Sequence, residues 1–440
     1  MSRDNAEIID SYNNAKLGPI HLAPGITPLN CATLLYASFF SMLALTFLNF
    51  FQPFLLTEFF GIPEDEQGRL TGMLSFWQEI LVIILSSWLG VMTDRWGRQR
   101  MMTIGMFIVV IGYGLYPFAP NEWVLIGFRL FFGLGAAAVG VAYATIMSDY
   151  PQNKSRGSLL ATVTVLTSFS IMLIVGVLNQ LPSVFMESGA SSKQAGLYVI
   201  AIVMAIGVMN CFVFMFGLKP GVPSEVNPRA GFMDLLTDGL KASRKNPRLK
   251  LAYASAFVSR ADLTLTGSFF SLWLVLAGRD QGLDTSGAMA AAGTLLFLKA
   301  MFSLFSNPFL GWIADRMGRV GGMAFGMSIA AAGHLWMGFQ NDPLSSSAIP
   351  AAIMMGIGTN AAIITSGALI GQEAPARIRG SVIGVYSLFG AIGTLFTSFV
   401  GGQIFDRIDP AAPVIMIGIF MVLLSVASIY VRVGDGEKKV

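Results

Sequence analysis

Charged side chains are scarce in this sequence: Asp, Glu, Lys and Arg make up 12% of its 440 residues, while 54% are hydrophobic. A water-soluble domain carries about a quarter of its residues as charges, so that class is excluded and the chain belongs in a bilayer. Cysteine is nearly absent as well. Cys31 and Cys211 cannot by themselves make a disulfide framework or a multi-ligand metal site, and both read as buried thiols. No Gly-Lys-Ser/Thr phosphate loop occurs, which argues against ATP hydrolysis by this polypeptide. No His/Cys cluster or nucleophile motif lies at the end of an apolar run, so no enzyme activity, metal or cofactor is expected. The net charge of +3 is spread along the chain, which gives no footprint for a nucleic-acid partner. Residues 1–27 lack the basic start and small-residue cleavage pattern of a secretory signal, and the first apolar run then reads as an uncleaved spanning helix.

What is present is a succession of apolar runs of helix-spanning length, too long for the strands of a membrane barrel. Twelve spans are expected, near 29–59, 68–91, 100–119, 122–148, 156–180, 195–218, 249–277, 285–313, 320–340, 345–370, 380–404 and 411–432. The longest polar break contains GFMDLLTDGLKASRK, with Phe232, Leu235, Leu236 and Leu240 at helical spacing. It reads as an amphipathic helix on the membrane face. The expected organisation is therefore a tail at 1–28, a six-helix bundle at 29–218, a linker at 219–247, a second bundle at 248–432 and a tail at 433–440. Of 28 basic residues, 21 fall in the two tails and the loops after even-numbered spans. By the positive-inside rule both termini are cytoplasmic. A multi-pass protein of the plasma (inner) membrane is expected, acting as a monomer on a small molecule.

GVMTDRWGRQR at 90–100 returns as GWIADRMGRVG at 311–321, with Asp94 and Asp315 separated by 221 positions, about half the chain. Both copies fit Gly, three residues, Asp-Arg, one residue, Gly-Arg. A charged turn of this kind must lie at a membrane surface. Span 4 ends SDYPQNKSRGS and span 10 ends GQEAPARIRGS, a second repeat. These paired motifs resemble the cytoplasmic signature loops of the major facilitator superfamily of secondary transporters. The resemblance implies an all-α integral membrane protein whose 12 transmembrane helices form two pseudo-symmetric six-helix bundles. It also implies a cytoplasmic gate in which Asp149 meets Arg95 or Arg98 and Glu373 meets Arg316 or Arg319. Asp94 and Asp315 would each contact a helix start in the opposite half.

Five charges lie inside spans: Glu79, Arg129, Arg260, Asp262 and Lys299. A mid-bilayer charge costs on the order of 3 kcal/mol, so each must face protein or water and find a partner. Glu79 sits about 16 Å along a helix from Gly90 at 1.5 Å per residue, near the midplane. Its neighbour Gln78 maps onto Lys299 by the same offset of 221, and Lys299 heads a polar stripe through Ser303 and Ser306. Asp262 shares a face with Ser259 and Thr266. One scheme pairs Lys299 with Asp262 and leaves Arg260 for substrate or for Glu79; the residues alone do not decide it. Arg129 opens RLFFGLGAAAVG, whose Gly133, Gly135 and Gly140 allow close helix approach, and it reads either as structural or as substrate-binding. Trp77, Asn49, Asn360 and His334 complete the candidate substrate lining, and His334 could titrate near neutral pH.

The expected function is secondary active transport of a small organic solute by alternating access. Glu79 and Asp262 are the candidate proton-coupling carboxylates, and H+ the coupling ion. The intramembrane charges sum to +1, which leans toward an anionic substrate, while the Phe- and Met-rich spans suit an amphipathic one. A proton-linked multidrug exporter is the alternative, although TVLTSFSIMLIVGVLN in span 5 lacks the Gly-Pro motif such exporters carry. A non-transporting sensor and sodium coupling through Thr264 and Thr266 are the remaining alternatives.

Overall fold

In this computed structural model residues 15–221, 232–244, 246–375 and 378–434 are described, apart from the side chains at 153, 232–235, 311, 314 and 315. Among the described residues twelve helices are long and apolar enough to cross a membrane. In chain order they are span 1 (Pro28–Glu58), span 2 (Glu64–Trp96), span 3 (Arg98–Phe118), span 4 (Glu122–Asp149), span 5 (Arg156–Glu187) and span 6 (Ser192–Gly217). Beyond these come span 7 (Pro247–Asp280), span 8 (Thr285–Leu310), span 9 (Arg316–Gly338), span 10 (Ala348–Glu373), span 11 (Arg379–Arg407) and span 12 (Ala412–Gly434).

Several helices run past the apolar stretch that announces them. Span 2 starts at Glu64 because Glu64, Asp65 and Glu66 fill its first turn, where carboxylates satisfy and stabilise exposed amides. Span 5 continues through a 3-10 turn at Leu178–Gln180 into the short helix Leu181–Glu187. Polar caps fix other starts. Asn121 accepts from Val124 N, Asn246 from the amides of Arg248 and Leu249, and Asp284 from Gly287 N. Ser191 and Gln194 close a reciprocal capping box at span 6.

The two signature turns share one backbone requirement. Gly97 has φ 92° and Gly318 has φ 75°, a left-handed conformation that glycine alone adopts without strain. The kink at Gly318 falls in the first turn of span 9, within the helical run Thr285–Gly338 that carries spans 8 and 9.

Packing divides the chain into Met1–Leu48 with Ile80–Asn227, and Asn49–Glu79 with Pro228–Val440. In the first unit, spans 3 and 4 touch through reciprocal glycines: a Cβ on Gly105 would lie 2.9 Å from Gly135 O, and one on Gly135 would lie 2.6 Å from Gly105 O. Gly140 faces open space, whereas Gly135 admits the neighbouring helix. The first unit also holds the one departure from the all-α expectation among the described residues. Lys16–Leu17 and Ile20–His21 pair as an antiparallel hairpin around Gly18–Pro19, with Gly18 at φ 56°, as a two-residue turn requires. The hairpin is strapped onto the loop after span 4. Leu22 bridges to Pro151, Gln152 Nε2 donates to Leu22 O at 2.7 Å, and His21 N donates to Ser155 Oγ at 2.9 Å.

In the second unit, the linker expected at 219–247 contains the helix Phe232–Arg244. The side chains of Phe232 and Leu235 lie outside the described residues. Tyr253 of span 7 donates to Gly239 O of this helix at 3.1 Å. Spans 9 and 10 pack with almost no space between backbones. A Cβ on Gly333 would meet Met355 N at 2.5 Å, one on Gly326 would meet Ala361 Cβ at 2.5 Å, and Gly358 lies directly against Ala330. Gly356 does the same for span 8, resting on the carbonyl of Lys299.

Candidate functional site

Those glycines bring polar side chains from four spans of the second unit into one buried cluster. Span 7 supplies Asp262 and span 9 supplies His334, both without solvent exposure. His334 Nε2 lies 2.7 Å from Asp262 Oδ1, and His334 Nδ1 lies 2.8 Å from Ala330 O. Span 10 supplies Thr359, whose hydroxyl reaches Asp262 Oδ2. Span 8 supplies Lys299, which donates to Thr266 Oγ1 at 2.6 Å and sits over the Phe270 ring at 5.9 Å. Thr266 and Phe270 belong to a π-helical turn at Leu265–Phe270 that interrupts span 7 one turn after Asp262, an irregularity that is frequent at functional sites. Each buried charge thus has polar company, the condition for holding it in hydrocarbon.

The pairing that the residues left open takes the following form. Asp262 spends its two oxygens on His334 and Thr359, while the Lys299 amine goes to Thr266. The cause is geometric, because the span 9–10 glycines place the imidazole nearer to the carboxylate than the amine of span 8. Asn360 donates to Ser303 O at 2.8 Å and also reaches Asn307, so it ties span 10 to span 8. Arg260 is exposed within span 7 and makes no ion pair among the described residues. Its guanidinium is the charge that acts on the half-buried Glu79. Gln78 and Asn49 are partly buried and Trp77 is 41% exposed.

Arg129 of the first unit is buried beside Tyr113 and Tyr116, with its guanidinium 5.7 Å from the centre of the Phe132 ring. Its surroundings are aromatic and phenolic side chains of its own bundle.

At the first signature loop Arg98 pairs with Asp149 at 2.6 Å, while Arg95 is exposed and Asp94 partly buried. The second loop differs. Glu373 pairs with Arg248 at 3.1 Å and accepts from Asn246 Nδ2 at 2.9 Å, instead of meeting Arg316 or Arg319. Asn246 caps span 7 and so fixes Arg248 beside the carboxylate. Arg316 stacks on Trp312 at 4.1 Å, and Arg319 is partly buried. The side chain of Asp315 lies outside the described residues.

Sequence reasoning missed a second carboxylate network. Asp406, in the last turn of span 11, accepts from Gly68 N at 2.9 Å and Arg69 N at 2.6 Å in the first turns of span 2. Gly72 and Gly402 give the two helices their close approach, and Arg279 pairs with Glu64 at 3.2 Å nearby. Asp406→Ala is expected to lower stability by about 1–3 kcal/mol, the cost of losing charge-assisted hydrogen bonds. A thermal melt in detergent checks it, and an unchanged midpoint would mean that the two contacts contribute nothing.

Known proteins share both the sequence pattern and this architecture. The family model described as Major Facilitator Superfamily matches residues 34–302 and 252–440. The chain belongs to the major facilitator superfamily. This superfamily member is 26% identical over 376 residues to the magnetosome protein MamZ of Magnetospirillum gryphiswaldense, a match covering 83% of this chain and 57% of MamZ. The chain thus spans little more than half the length of that relative. It is 24% identical over 359 residues to the multi-drug resistance efflux pump PmrA of Streptococcus pneumoniae, covering 79% of this chain and 84% of PmrA. The crystal structure of the nucleoside transporter NupG shares the fold, with a TM-score of 0.70 at 13% identity over 91% of this chain and 98% of NupG. The all-α twelve-span architecture read from the sequence is therefore that of a superfamily of membrane transporters.

Proposed function

We propose that this chain is a secondary active transporter that moves a small organic solute by alternating access, coupled to protons through Asp262 and Glu79. The observation that carries the reading is Asp262 itself, a carboxylate without solvent exposure in the middle of a spanning helix and in contact with an imidazole. Ionisable groups at such a depth are rare in spanning helices and mark ion or proton pathways. The bias of basic residues toward the even loops supports cytoplasmic termini, and a plasma-membrane location and a monomeric state go with that reading.

An anionic substrate is favoured by Arg260, a cation exposed within span 7 and without an ion pair among the described residues. Arginine offers a bidentate fork to a carboxylate or phosphate. Arg260→Gln is expected to raise KM by about tenfold, equivalent to about 1.4 kcal/mol, with little change in kcat. Unaltered KM for every substrate found would remove Arg260 from the binding site.

The similarity to PmrA favours a second reading, a proton-linked exporter of amphipathic drugs. One experiment separates the two: proteoliposomes loaded with an internal pH dye and offered organic anions, sugars, peptides or lipophilic cations in turn. A pH change with anions supports the first reading and one with lipophilic cations the second. Silence from all pools, together with silent radiolabelled exchange, would count against proton-coupled transport.

A further inference from the structure

We infer that Asp262 and His334 hold a single proton between them, and that its release transfers Asp262 from His334 on span 9 to Lys299 on span 8. The inference deepens the proton-coupled reading and rests on it for a role in transport, while the shared proton itself stands on hydrogen counting.

His334 Nδ1 lies 2.8 Å from Ala330 O. A carbonyl oxygen carries no proton, so Nδ1 must be the donor. In a neutral imidazole that leaves Nε2 as a bare lone pair. Yet Nε2 lies 2.7 Å from Asp262 Oδ1, where two lone pairs would face each other across a buried contact. One proton must lie there, either as imidazolium against carboxylate or as imidazole against carboxylic acid. Both descriptions contain the same proton, which belongs to the pair and not to either residue. Asp262 Oδ2 is served by the Thr359 hydroxyl, which also lies 2.8 Å from Met355 O.

The surroundings decide where the carboxylate turns when the proton leaves. Span 8 presents Lys299, the other buried charge of the cluster. Span 10 presents the neutral Thr359 and Asn360, and span 12 presents Gly418, where an added Cβ would lie 3.1 Å from His334 Cβ. On span 7 itself the nearest charge is Arg260, which is exposed. With the proton the cluster carries one net positive charge; without it Asp262 and Lys299 balance. Proton loss removes the hydrogen bond between spans 7 and 9 and leaves Lys299 as the buried countercharge to the carboxylate. Lys299 is already joined to span 7 through Thr266, so the exchange needs side-chain motion and no new approach of helices. The proton-bound state links spans 7 and 9, and the proton-free state links spans 7 and 8.

The test uses the fact that the chain has two histidines. The full chain carrying His21→Asn, labelled with ring-15N histidine and reconstituted in lipid, gives signals from His334 alone. Over about pH 5 to 10, a range spanning ordinary imidazole titration, the nitrogen spectrum reports whether Nε2 carries hydrogen. Infrared spectra of the same samples report a carboxylic-acid band that Asp262→Asn would delete. A proton-bearing Nε2, or that band, at the acid end and a bare Nε2 with neither at the alkaline end is the expected result. A bare Nε2 without the band throughout would overturn the inference.

Lys299→Met supplies the second arm. Without the competing cation the shared proton should persist to a pH higher by at least about one unit, a tenfold change in proton affinity. An unmoved titration would overturn the transfer to Lys299. The transport reading fails separately: a proton seen in the spectra while Asp262→Asn still moves substrate under a pH gradient would leave the shared proton standing and remove Asp262 from coupling.

Discussion

Asp262→Asn is expected to reduce pH-gradient-driven flux by about a hundredfold or more, the scale on which a positioned proton-transfer group acts, with the helices intact. The amide is nearly isosteric with the carboxylate. Its oxygen can still accept from Thr359, and its NH2 can donate to His334 Nε2. The buried cluster therefore stays satisfied, and the usual cost of an orphaned polar partner, about 1–3 kcal/mol, is avoided. What disappears is the ionisable group. Uptake driven by a pH gradient should fall to that of protein-free vesicles, whereas exchange of substrate at equal pH should survive. Loss of both activities together with a lower melting temperature would point to a structural role. Undiminished gradient-driven uptake would transfer the coupling role to Glu79, the other intramembrane carboxylate. Glu79→Gln in the same assay then distinguishes one coupling carboxylate from two.

How far apart two interacting residues lie in the chain determined whether the sequence disclosed their contact. The twelve spans were legible because hydrocarbon imposes length and apolarity on each segment separately. The two signature turns were legible because the same charged motif returns at half-chain spacing; in the structure Gly97 and Gly318 both take positive φ. Asp262 and Lys299 announced themselves as charges inside apolar runs. His334 and Thr266 were named among the candidates, but Thr359 was not: it carries no charge, and its approach to Asp262, like that of His334, depends on the register between spans 9 and 10, set by Gly333 and Gly358 against Met355 and Ala330. The exchange of Arg248 for the signature arginines at Glu373 has a similar cause, because a cap at Asn246 acts locally and no half-chain repeat reports it. Asp406 was missed because it lies at the end of an apolar run, where a carboxylate reads as a solvated terminus. The hairpin at Lys16–His21 has strands of two residues each, too short for any periodicity.

That dependence on register makes Gly358 the position where packing and coupling should fail together. A Cβ at Gly358 would fall against Ala330, with Ala330 Cβ only 2.6 Å away. Ala330 is also the residue whose carbonyl accepts from His334 Nδ1. Gly358→Val must therefore push span 10 from span 9 at the point where the imidazole is oriented. Overpacking of this kind costs about 1–3 kcal/mol or more. The thermal midpoint should drop, and residual transport should lose its dependence on the pH gradient. Gly367 of the same span provides the control, since an added Cβ there meets nothing within 4 Å. On helix propensity alone, alanine in place of glycine gains about 1 kcal/mol in a helix interior. Gly367→Ala should then be neutral or stabilising, while Gly358→Ala, the same chemical change nine positions earlier, should destabilise. Equal effects at the two positions would show that propensity governs both, and the proposed seat of His334 against span 10 would lose its support.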